Sequence, residues 1–213
     1  MRGPVRIVVC DVGLGNLRSV ERALLEAARG RKDSIVVSRD PSDVPGADRL
    51  VMPGQGGFRD CASALSKGFG DAVRAHLATG RPYLGICLGL QVLFRSSEEA
   101  PDCAGLGVLE GEVVKLQGGT DEITGAPLKI PHIGWNVAEP TEHRGLLTPA
   151  GEHFYFVHSY VVAPRDPRVV AARTEYGERF VSAIAYDNVF ACQFHPEKSQ
   201  RAGLALLERF LAS

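Results

Sequence analysis

Four short apolar runs rich in β-branched residues, VRIVVC from Val5, SIVVS from Ser34, RLVMP from Arg49 and PYLGIC from Pro82, recur through the first half of the chain. Between them lie stretches with helical spacing. In NLRSVERALLEAA, Leu17, Val20, Leu24 and Leu25 fall on one face, and DAVRAHLATG closes on a glycine that suits a helix end. Strand-like runs alternating with helical ones specify βαβ units. The expected core is therefore that of an α/β fold: a central mixed, mostly parallel sheet flanked by helices.

Beyond Ala104 the pattern changes. GVLEGEVVKLQ, LKIPHIGWNVAE, HFYFVHSYVVA, RVVAART, RFVSAIAY and NVFACQFH are strand-like with no helix between them, so the second half adds antiparallel or mixed strands. RAGLALLERFLA, with Leu204, Leu207, Phe210 and Leu211 at helical spacing, suits a helix closing over the sheet. The polar, glycine-containing stretch Gln117 to Ala126 reads as a loop rather than a linker. At 213 residues and 45% hydrophobic composition the chain holds one full core, and we expect a single domain over residues 1–213.

A formal net charge of −1 gives no electrostatic argument for nucleic acid or an anionic membrane. The apolar run before Asp11 is too brief to span a bilayer and lacks a signal-peptide cleavage pattern, so a cytoplasmic protein is expected. Five cysteines without a close CxxC pair resemble neither a disulfide framework nor a zinc site.

One of those thiols has an unusual setting. Cys87 follows a strand-like run, precedes a helix-like one and is flanked by Gly85 and Gly89, the pattern of a nucleophile elbow with sulfur in place of a serine oxygen. A helix N-terminus there would stabilise a thiolate and offer N–H groups to an oxyanion. A packed core cysteine between contact glycines satisfies the same segment. In ACQFHPEKS, Pro196 pushes His195 into extended backbone and Glu197 follows two residues on, so the carboxylate can orient the imidazole. Nucleophile, base and orienter form the logic of a triad, although a strand-ending turn also explains a lone His-Pro-Glu.

Together the two segments resemble the class I glutamine amidotransferases, whose elbow reads G-x-C-x-G-x-Q and whose later motif reads H-P-E. Within that class, DVGLGNLRSV, MPGQGGF, PHIGWN, YFVHSY and QFHPEKS are similar, in order along the whole chain, to the glutaminase subunits of imidazole glycerol phosphate synthases. The resemblance implies that Cys87 attacks the side-chain amide of glutamine, that His195 moves the proton and that Glu197 orients His195. It implies glutamine binding at Gln91, Glu99, Ser159 and Tyr160, and an oxyanion site at the backbone of Leu88 and of Gly54, Gln55 and Gly56. It implies no cofactor or metal. The acceptor chemistry would lie in a cyclase subunit, a (β/α)₈ barrel forming a heterodimer, with Trp135, Asn136 and Lys198 as interface candidates.

The sequence departs from that family at Gln55, where a small apolar residue is usual, at Gly57, and at Val12 and Leu14. GLGNLRS is not a dinucleotide loop, because Arg18 replaces the third glycine of the fingerprint; Asn16 is an N-cap candidate. Cys10 and Cys192 read as core thiols, Cys61 and Cys103 as structural, and His76, His132, His143, His153 and His158 lack metal-ligand spacing as a group. His158 beside Ser159 suggests a serine hydrolase, but no elbow surrounds that serine. A stand-alone γ-glutamyl hydrolase and a non-catalytic glutamine-binding module are the competing functions.

Overall fold

The computed structural model describes residues 4–120 and 124–213; the first three residues, and residues 121–123 of the expected loop, lie outside the described residues. Each of the four opening runs is a strand: β1 (Arg6–Cys10), β2 (Ser34–Ser38), β3 (Arg49–Gly54) and β4 (Tyr83–Cys87). Helix α1 (Leu17–Ala27) joins β1 to β2, and Asn16 caps it by accepting from the Ser19 N–H. Val20 and Leu24 are buried on the expected face, but Leu25 is 53% exposed, since it stands one position round the helix from Leu24. Helices α2 (Phe58–Ala64) and α3 (Gly70–Ala78), separated by a kinked segment at Leu65–Phe69, lead into β4.

After Cys87 the helix is a single turn, α4 (Leu88–Gln91), and the chain then enters β5 (Phe94–Ser97). The helix-like run after the elbow is helical for this one turn only. The second half is strand-built as expected: β6 (Leu109–Lys115), β7 (His132–Pro140), β8 (Glu152–His158), β9 (Tyr160–Pro164), β10 (Val170–Glu175), β11 (Arg179–Tyr186) and β12 (Val189–Cys192), closed by α5 (Gln200–Ala212).

The strands form one mixed sheet whose main path runs β2-β1-β3-β4-β12-β11-β10-β7-β8. Pairing is parallel from β2 through β12, and antiparallel from there to β8. Off the path, β5 pairs in parallel with β6, and β9 pairs antiparallel with β6 and β11. The inner parallel strands β1, β3, β4 and β12 are buried on both faces, while the edge strand β2 is only partly covered, and alternate side chains divide between two apolar layers. Ile7, Val9 and Val51 pack with Val20 and Leu24 of α1 and Leu206, Leu207 and Phe210 of α5. Val8, Cys10, Leu50 and Met52 pack with Phe58 and Cys61 of α2, Leu65 of the kinked segment and Val73 of α3. Arg49, buried at the start of β3, reaches across the first layer to the carbonyls of Phe210 and Ser213, satisfying acceptors that the end of α5 leaves open.

Candidate active site

Strand β12 enters between the parallel strands and the antiparallel half, so β4 and β12 lie side by side with Cys192 opposite Ile86. The segments carrying Cys87 and His195 therefore leave the sheet at the same edge, the carboxyl end of its parallel strands, where open α/β sheets form their ligand sites. Gly54 of β3 stands in register with Cys87 from the other side.

Cys87 itself adopts φ 54° and ψ −102°, a left-handed conformation rare for a side-chain-bearing residue. The flanking glycines make the turn feasible. A Cβ at Gly89 would collide with the Met52 carbonyl, and one at Gly85 with the carbonyl of Gly89. That Gly89 carbonyl accepts the buried Tyr83 hydroxyl at 2.7 Å. With one helical turn following, the electrostatic help available to the sulfur comes from the first N–H groups of α4.

His195 is extended at φ −110° and ψ 95°, but the chain then forms a 3-10 turn over Pro196–Lys198, so Glu197 meets the imidazole through a tight turn rather than along a strand. The Nδ1–H of His195 donates to Glu197 Oε1 at 2.8 Å, and both side chains are almost fully buried. Nε2 is buried with no hydrogen bond of its own among the described residues, and Cys87 is its electrostatic neighbour. Burial disfavours the imidazolium, yet the interactions with Cys87 and Glu197 outweigh it and raise His195 to about 9.

A cavity of about 430 Å³ opens over Cys87 and Leu88. Its wall includes all four residues expected to bind glutamine, Gln91, Glu99, Ser159 and Tyr160, together with Gln55 and Gly56. Glu99 holds the loop side in place, because its Oε2 accepts the first N–H of α2, from Phe58, at 3.0 Å. Gly56 adopts φ 132°, a backbone state open mainly to glycine. His158 also lines the cavity, but both its ring nitrogens are engaged, Nδ1 with the Tyr160 carbonyl and Nε2 with His132, which leaves none to serve Ser159 as a base. Burial pushes His132 down to about 4; burial and the neighbouring His132 push His158 down to about 3.

Sequence reading missed Gln193, whose Nε2 lies 3.4 Å from the Cys87 sulfur. The signal was present in QFHPE: Gln193 precedes His195 by two residues at a strand end, where alternate positions share a side. The three interface candidates lie nearby on the β7–β8 hairpin and the turn after His195. Trp135 is 48% exposed, which rules out ordinary core packing, and stands opposite Tyr155 with its ring edge-on at 6.1 Å. Lys198 Nζ sits 5.8 Å from the Tyr155 ring centre, and Asn136 donates to the Glu175 carbonyl at 2.8 Å.

An elbow thiol, a buried His-Glu pair and a cavity of about 430 Å³ at the edge of this sheet agree with the family that the chain matches over residues 8–213, the glutamine amidotransferase class-I family, to which it belongs. A crystal structure of a glutamine amidotransferase has the same fold, with a TM-score of 0.70 over 97% of each chain at 24% identity. Within the class, the chain is a member of the imidazole glycerol phosphate synthase subunit HisH group. It is 47% identical to the HisH subunit of Syntrophotalea carbinolica over 96% of this chain and 98% of that one, and 48% identical to that of Aquifex aeolicus over 97% and 96%.

Proposed function

We propose that this chain is the glutaminase subunit of imidazole glycerol phosphate synthase, hydrolysing glutamine to glutamate and passing the ammonia to a cyclase subunit in histidine biosynthesis. The observation that carries the reading is the 2.8 Å His195–Glu197 pair set behind Cys87 at the floor of the cavity. The Cys87 sulfur attacks the amide carbon of glutamine and His195 takes up the thiol proton, forming a tetrahedral oxyanion. His195, held as imidazolium by Glu197, gives that proton to the departing amine, and ammonia leaves. Water, deprotonated by the now neutral His195, attacks the glutamyl thioester; the sulfur departs and glutamate is released. Gln91, Glu99, Ser159 and Tyr160 supply the polar wall that orients the substrate's α-amino and carboxylate groups. The oxyanion is assigned to backbone N–H groups of Leu88 and the Gly54–Gly56 loop, each such donor being worth roughly 100 to 1,000-fold in rate.

The partner is a (β/α)₈ cyclase docked on the face carrying Trp135, Asn136 and Lys198. An exposed tryptophan in a strip with Ile133, itself 58% exposed, is the kind of anchor that protein interfaces bury. A cytoplasmic site of action accords with five free thiols. Among the described residues, no helix is long and apolar enough to cross a membrane. The test is steady-state release of glutamate and ammonia by the chain alone, with the cyclase, and with the cyclase plus its nucleotide substrate. Hydrolysis that requires the partner supports the reading; full activity of the chain alone favours a stand-alone hydrolase, and none under any condition favours a binding module.

A further inference from the structure

Gln193 is fully buried just beyond β12, and its neighbours dictate which way its amide faces. A carbonyl oxygen can only accept, so Gln91 presents Nε2 to the Tyr160 carbonyl at 3.1 Å. The same nitrogen donates to Gln193 Oε1 at 3.2 Å. With its oxygen engaged there, Gln193 turns its NH₂ group toward Cys87 Sγ at 3.4 Å. The reversed amide would set two NH₂ groups against each other and aim a carbonyl lone pair at the sulfur.

The orientation is anchored from farther out by a one-way chain of donors. Asn136 Oδ1 accepts from the Val137 N–H at 2.8 Å, which fixes the flip of that amide and directs Nδ2 toward His132 Nε2 at 3.4 Å. His132 Nδ1 then donates to His158 Nε2 at 3.2 Å, and His158 Nδ1 donates to the Tyr160 carbonyl at 3.1 Å. The Tyr160 carbonyl is thereby held by two donors, one from this chain and one from Gln91.

We propose that Gln193 is a further catalytic residue, donating an N–H to the reacting sulfur of Cys87, and that the Asn136–His132–His158 chain is the positioning device that keeps Gln91 and Gln193 in the required orientation. The inference rests on the thiol chemistry proposed above. A fixed donor at the sulfur stabilises negative charge there before substrate arrives, and keeps the sulfur in one place beside the imidazole. Because the donor does not touch the glutamine backbone, its loss should lower kcat and leave KM nearly unchanged.

The experiment compares Gln193→Leu, which deletes the donor, and Gln193→Glu, which keeps the shape but aims an acceptor at the sulfur. Alkylation of Cys87 by iodoacetamide is followed by peptide mass spectrometry across pH, and glutaminase kinetics are measured in the complex with the cyclase. Expected are an alkylation rate at neutral pH about tenfold lower in Gln193→Leu and lower still in Gln193→Glu. The rise of alkylation with pH should move upward, and kcat should fall about tenfold with KM within about twofold. Alkylation within twofold of the unmodified chain, or a loss confined to KM, overturns the proposal. Should the variants not fold, the side-chain amide resonances of Gln193 in the unmodified protein, compared with Cys87→Ala, decide it: a shift supports the contact and no shift overturns it. Failure of the thiol chemistry itself would show separately, as an unmodified chain in which Cys87 is inert to a glutamine-like electrophile.

Discussion

The backbone N–H of His195 donates to the carbonyl of Tyr155 at 2.9 Å. Tyr155 also donates its own N–H to Ser199 Oγ at 2.9 Å, and Ser199 Oγ donates in turn to the His195 carbonyl at 2.6 Å. The strand that pairs with exposed Trp135 is thus bonded directly to the segment carrying the imidazole. A partner docked as proposed on Trp135 and Lys198 would bear on the same backbone that positions the base. We therefore expect kcat of the free chain to be low and to rise about 100-fold or more with the cyclase and its nucleotide substrate bound, the gain of a correctly placed acid–base group. Lys198→Ala should shrink that rise. Equal kcat in all three conditions would count against partner control.

Thiol selectivity follows from burial at Cys10, Cys61 and Cys192, while the half-buried Cys103 lies outside the cavity over Cys87. Burial pushes Cys10 and Cys61 up to about 12 and drives Cys192 well above its usual range, so these thiols stay protonated and inert. A chloroketone analogue of glutamine should label Cys87 alone. Cys87→Ala should lose glutamine hydrolysis while its complex still consumes free ammonia. Labelled Cys10 or Cys192 peptides would contradict the assignment.

Activity should fall on the alkaline side as His195 loses its proton. Its pKa is raised from 6.5 to about 9, so the imidazolium interactions stabilise the fold fully below about pH 6.5 and are lost as the pH climbs through 9. The alkaline limb of kcat/KM should lie near 9, and Glu197→Gln should move it to lower pH. Glu197→Gln should also retain more activity than His195→Ala, since it weakens orientation and charge but leaves the base. The reverse order would mean the roles are misassigned.

Acid should destabilise the protein through the paired imidazoles. His132 and His158 are held down to about 4 and about 3, so the unfolded chain binds their protons first and stability falls as the pH drops below about 6.5. Because the two rings are hydrogen-bonded to each other, the pair as a unit should cost on the order of 2 kcal/mol by pH 5. Thermal melts at pH 7 and pH 5 check this, and His158→Phe should flatten the dependence; an unchanged slope in that variant would refute it.

How far the sequence carried the fold depended on range. The β-branched runs around Val8, Val36, Val51 and Ile86 each formed the expected strand, because β-branched residues carry their own preference for extended backbone. Leu25 defeated the helical-face reading because a leucine beside the apolar stripe resembles one inside it, and β5 was hidden by the polar Arg95, Ser96 and Ser97. At the site, Cys87, His195 and Glu197 were legible because each sits in a short motif with its own backbone logic. The chain from Asn136 to Tyr160 was not, since its links join β7, β8 and β9 across the sheet and depend on ring orientations that no local pattern records.

The left-handed backbone at Cys87 has an evolutionary consequence. A side chain held at φ 54° and ψ −102° costs on the order of 1–3 kcal/mol, more than the roughly 0.5–1 kcal/mol of extra chain entropy that a glycine loses on folding. Of two inactive variants, Cys87→Gly should therefore melt higher than Cys87→Ala. Drift that rewarded durability alone would favour replacing the nucleophile with glycine, and any lineage relieved of the need for ammonia should lose its thiol at this position early.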